Sequence, residues 1–87
     1  MTYEIRLHRE AQKDLDKLPE SIFKPIDAAL LALGSNPRPF GVKKLKGNLH
    51  RIRAGSWRII YAILDKERLL IVLRIARRSE KTYRDLP

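Results

Sequence analysis

Cysteine is absent from this 87-residue chain, which excludes disulfides, a thiolate nucleophile and thiolate metal ligands together. Histidine occurs only twice, at the unrelated positions His8 and His50, so no dedicated zinc site can be assembled either. No paired carboxylates stand in the basic part of the sequence to hold Mg²⁺ for two-metal hydrolysis, and there is no glycine-rich phosphate loop. No apolar run approaches the roughly 20 residues of a membrane span, and the opening MTYEIRLHRE lacks the apolar stretch of a signal peptide. These absences set the expectation of a soluble, cytoplasmic protein with no metal, no cofactor and no membrane partner.

What is present is a globular composition, 44% hydrophobic and 33% charged, at a length that fits one domain over residues 1–87 with a single modest core. The net charge of +9 is segregated. Residues 1–37 hold five Lys/Arg against six Asp/Glu, whereas residues 38–87 hold fourteen against four. Such a basic half fits a polyphosphate partner, although a solvated basic face would produce the same count.

TYEIRL alternates Tyr3, Ile5 and Leu7 with polar residues and reads as a strand. REAQKDLDKL places Ala11, Leu15 and Leu18 on one helical face and is closed by Pro19. A second helix follows in ESIFKPIDAALLALG, with Ile22, Ile26, Ala29, Leu30 and Leu33 at helical spacing and Gly34 as the stop. Pro25 is tolerated there if Ser21 is the N-cap; otherwise a kink or tight turn is expected. SNPRPFGVKKLKGN, carrying Arg38, Lys43, Lys44 and Lys46, reads as a basic loop. LHRIRA and WRIIYAIL flank a two-residue Gly55-Ser56 turn, and RLLIVLRIA returns after DKER. The tail RRSEKTYRDLP is a short helix or an irregular end. The expected fold is α+β, in the order β-α-α-β-β-β, with an antiparallel sheet packed against two N-terminal helices.

The hairpin turn sets Arg53 opposite Arg58 and Arg51 opposite Ile60, all on one face. The same counting pairs Arg58 with Ile75 across the second hairpin, which brings Arg77 and Arg78 beside the cluster. Like charges directly opposite each other destabilise a sheet, so a hairpin shaped by stability alone would dilute them. Guanidinium groups fit phosphate oxygens bidentately and stabilise the charge that develops during phosphoryl transfer, but they cannot serve as general bases. Histidine offers no replacement, since His50 points to the opposite face. Trp57 and Tyr61 share a face with Ile59 and Ile63 and read as core. Metal-free cleavage of RNA remains chemically open, because the 2′-hydroxyl is a nucleophile already placed beside its own phosphate.

NPRPFGVKKLKG, HRIRAGSWRIIYAI and LRIARRSEKTY together resemble the RelE/ParE superfamily of toxins, in its RelE branch, over nearly the whole chain. The resemblance implies a metal-independent, ribosome-dependent mRNA endonuclease neutralised by an acidic, RelB-like antitoxin. By position it assigns catalytic roles to Arg51, Arg53, Arg58, Arg78 and Tyr83; beside them, Arg38, Lys43, Lys44 and Lys46 of the basic loop and Arg77 and Lys81 of the tail are candidates for RNA or ribosome contacts. Well-known members carry lysines where this chain has Arg51 and Arg53, which leaves the general base unassigned. The spacing of RRSEKTY leaves Arg77 or Arg78 as the counterpart of the arginine after the last strand. The alternatives are a ParE-like toxin acting on DNA gyrase and an RNA-binding module without catalysis.

Overall fold

The structure is a computed structural model and describes residues 2–77. Its elements run β1 (Glu4–Leu7), α1 (Arg9–Asp16), α2 (Glu20–Ser35), β2 (Lys43–Lys46), β3 (Leu49–Ala54), β4 (Trp57–Leu64) and β5 (Leu69–Arg77). The strands form one sheet in the order β1-β5-β4-β3-β2. Both helices lie on one face of it, and the α+β architecture expected from the sequence holds.

Four features differ from the sequence reading. The basic loop contains a strand: Lys43 pairs with Arg51, Lys44 with His50 and Lys46 with Leu49, so β2 extends the sheet past β3. KKLK has neither alternation nor β-branched residues, and it is strand only because β3 offers an open edge. The sheet is also mixed, since β1 runs parallel to β5. Pro25 lies inside a continuous α2 whose N-cap is Pro19 rather than Ser21. It is exposed there, so its ring meets no packed neighbour in the core. Gly34 does not stop α2 but sits buried in its last turn, where its carbonyl accepts the Tyr3 N–H at 2.8 Å. A Cβ at that position would stand 3.3 Å from the Tyr3 carbonyl oxygen, so glycine is what lets α2 approach β1 so closely.

The core forms between helices and sheet. Ala11 and Leu15 of α1, together with Ile26, Leu30 and Leu33 of α2, meet Ile59, Tyr61, Ile63, Leu70, Val72 and Ile75. The helical residues fall at the four- and three-residue spacings that line one face. β4 is the central strand and is buried on both sides: Ile60 and Ala62, on the face away from the helices, are also shielded from solvent. That double burial explains why WRIIYAIL reads as a nearly continuous apolar run.

Candidate active site

The β3–β4 hairpin has the expected register, with Arg53 opposite Arg58, Arg51 opposite Ile60 and Ala54 opposite Trp57. Gly55 has φ +63° whereas Ser56 is not in the left-handed region, the pattern of a type II′ turn, whose twist matches that of the strands. Cross-strand partners point to the same side, so Arg51, Arg53 and Arg58 converge on the face away from the helices. Arg51 and Arg58 are half-buried with their Nε atoms out of solvent, whereas Arg53 is exposed. Guanidinium groups held by partly buried stems lose little conformational freedom when they grip an anion, which favours them as a preformed phosphate site.

The added strand enlarges this face. Lys43 is the cross-strand partner of Arg51 and Lys46 that of Leu49, so both lysines join the arginine side. Lys44 pairs with His50 and faces the other way. His50 is 6% exposed, its Nδ1 lies 2.9 Å from the Asn48 carbonyl and its ring sits 5.9 Å from that of Tyr61, so it is part of the packed interior.

The register of β5 departs from the simple count. A bulge between Ile60 and Tyr61 makes Arg58 pair with Ala76 rather than Ile75, and Trp57 with Arg77. The extra residue is Leu73, and just beyond it the Asp14 carboxylate of α1 takes the Ile75 N–H at 2.9 Å and the Arg74 Nε–H at 2.8 Å. As a result Arg77 does not reach the arginine face. Its guanidinium lies 5.6 Å from the Trp57 ring, a cation–π contact beside the helices. Arg78, Lys81 and Tyr83 lie outside the described residues.

Arg38 is also placed elsewhere. Its guanidinium grips Asp65 through two bonds of 2.9 and 3.2 Å, at the end of β4 away from Arg58. The Tyr3 hydroxyl donates to the same carboxylate at 2.6 Å. The Arg38 guanidinium first and the Tyr3 hydroxyl second hold the Asp65 pKa down to about 2. Nearby, the buried Tyr61 hydroxyl donates to the Pro37 carbonyl at 2.6 Å, and burial pushes its pKa up to about 12. Neither Asp14 nor Asp65 was singled out from the sequence. Each acts on a residue far along the chain, and no local pattern marks such a pair.

Among the described residues, no group of three His, Asp or Glu side chains gathers where it could hold a metal ion, and no helix is long and apolar enough to cross a membrane. Glu4 stands on the same sheet face but at its far edge, on β1 and paired with Arg6 at 2.6 Å, so around Arg51, Arg53 and Arg58 the described residues of this face are cations and apolar side chains. The arginine cluster can bind phosphate and stabilise added negative charge, and it needs a proton acceptor from elsewhere.

Residues 5–82 match the family model described as the ParE toxin of the type II toxin–antitoxin system parDE. The putative toxin RelE1 of Methanocaldococcus jannaschii is 34% identical over 84 residues, covering 91% of this chain and 93% of that protein. Toxin RelE of Mycobacterium tuberculosis is 35% identical over 89 residues, covering 98% of this chain and 90% of that protein. A chain of the archaeal RelE–RelB complex from Pyrococcus horikoshii shares the fold at a TM-score of 0.82 and 30% identity, with 92% of this chain and 99% of that chain covered. Alike in sequence and in fold over nearly its whole length, the chain belongs to the RelE/ParE toxin family of type II toxin–antitoxin systems.

Proposed function

We propose that this RelE-like toxin is a metal-independent, ribosome-dependent mRNA endonuclease that acts in the cytoplasm. The observation that carries the reading is the cross-strand convergence of Arg51, Arg53 and Arg58 with Lys43 on one sheet face. Four cations this close repel one another, and a bound phosphate diester relieves the repulsion.

In the reaction, the 2′-hydroxyl of one nucleotide attacks the adjoining phosphorus and the bond to the next 5′-oxygen breaks. A 2′,3′-cyclic phosphate and a 5′-hydroxyl result. The Arg51, Arg53 and Arg58 guanidinium groups stabilise the charge that accumulates on the phosphate oxygens on the way. The proton of the attacking hydroxyl goes to a group outside this face, on the ribosome or on the message itself, because arginine cannot accept it, and the leaving 5′-oxygen takes its proton from water. The resemblance gives Arg78 the role of a further phosphate-binding arginine and Tyr83 that of orienting the reacting nucleotide, and Arg77, held over Trp57, is not needed for either. An acidic antitoxin of the RelB kind covers the basic face and silences it, a reading supported by relatives solved as RelE–RelB antitoxin–toxin complexes.

A ParE-like action on DNA gyrase is the second reading, favoured by the description of the matching family model. It leaves the arginine convergence without a role. Mapping message 5′ ends in a translating extract with and without the protein separates the two: new ends within codons support the endonuclease, and an intact message alongside gyrase-linked DNA breaks supports the alternative.

A further inference from the structure

Phe40 is the most exposed large apolar side chain among the described residues, at 104% of its reference exposure. It occupies the second position of a turn in which the Pro39 carbonyl accepts the Val42 N–H at 3.1 Å and Gly41 has φ +91°. That combination is a type II turn, which projects its second residue outward.

The base of the turn is firmly fastened. Tyr61 bonds to Pro37, Arg38 grips Asp65 twice, and the Arg38 N–H donates to Asn36 Oδ1 at 3.3 Å. A benzyl ring held out in water adds nothing to the core. Just beyond it the chain enters β2, where Lys43 flanks Arg51 on the arginine face. An aromatic ring displayed beside a row of phosphate-binding cations is the arrangement that binds single-stranded nucleic acid, the cations following the backbone and the ring stacking on a base.

We propose that Phe40 stacks on an unpaired base of the message as the strand leaves the arginine face, while Lys43 holds an adjoining phosphate. The proposal rests on the RNA reading of that face and extends it. Lys43 lies two strand spacings, about 10 Å, from β4, and Phe40 precedes it by three residues, so the stacked base is further along the strand than the cleaved nucleotide. Stacking is tolerant of base identity, so Phe40 contributes grip more than sequence choice.

The test uses the full-length chain, a fluorescent single-stranded RNA about a dozen nucleotides long with its 2′-hydroxyls methylated against cleavage, and the matching duplex, read by anisotropy at low salt. Phe40→Ala is expected to weaken single-strand binding about ten- to a hundredfold while leaving duplex binding and melting temperature unchanged. Phe40→Tyr should bind like the parent, and Phe40→Leu, apolar but without a π face, should bind like alanine. Leucine retaining affinity, or Phe40→Ala binding normally while Arg58→Ala does not, overturns the stacking role and leaves the arginine face intact. Failure of the parent chain to bind any RNA overturns both readings. Loss of antitoxin binding with unchanged RNA affinity overturns the proposal in favour of a protein-docking surface.

Discussion

Asp14 on α1 and Arg74 on β5, sixty residues apart in the chain, meet at 2.8 Å, and the same carboxylate accepts the backbone N–H of Ile75. This contact couples the first helix to the strand bulge, and the bulge decides which residues of β5 stand beside Arg58.

Asp14→Ala removes the acceptor of a part-buried N–H and one anchor of Arg74. The expected cost is about 1–3 kcal/mol, or roughly 4–20 °C in melting temperature for a domain of this size. Asp14→Asn keeps an oxygen for Ile75 and should lose about half as much. Thermal melts of both variants check the order, and equal melting of alanine variant and parent would remove Asp14 from this role.

Acid should loosen the 36–42 segment before the core. The Asp65 pKa is depressed to about 2, so its contribution to stability is complete above the ordinary carboxylate range near pH 4 and is lost as pH falls towards 2. Asp65→Asn, which cannot titrate, should flatten the dependence of melting temperature on pH across that window. An unchanged slope would contradict the anchoring role of the Arg38–Asp65–Tyr3 cluster.

Free RNA should be cut poorly by the purified protein, because among the described residues no proton acceptor stands beside Arg51, Arg53 and Arg58 on the sheet face. Message on ribosomes should be cut efficiently. Rapid cutting of naked RNA would show that the chain completes its own site and would sink the ribosome dependence.

Much of this was legible in the sequence because the decisive signals are local. The Gly55-Ser56 turn between two alternating segments fixes the register of β3 and β4, and with it the meeting of Arg51, Arg53 and Arg58. Leu30, Leu33 and Ile59, expected in the core, are 4%, 2% and 0% exposed. What escaped depends on tertiary partners. The strand at Lys43–Lys46 exists only beside β3, the bulge that shifts Ile75 and Ala76 lies where Asp14 of α1 meets β5, and Arg38 finds Asp65 twenty-seven residues away. Arg77 could not be assigned to a face until the bulge was known.

The most direct test is the cleavage rate of ribosome-bound message by Arg58→Ala, measured beside its melting temperature and with Leu30→Ala as the control for fold damage. Losing one donor aimed at developing phosphate charge costs about 10²–10³ in rate, roughly 3–4 kcal/mol, whereas losing a half-exposed arginine costs the fold only about 0.5 kcal/mol. Leu30→Ala opens a core cavity worth about 2–5 kcal/mol and should lower stability and cleavage together. The predicted result is a hundredfold or greater fall in cleavage by Arg58→Ala with melting nearly unchanged; full cleavage by a folded Arg58→Ala protein would contradict the assignment of the arginine face as the active site.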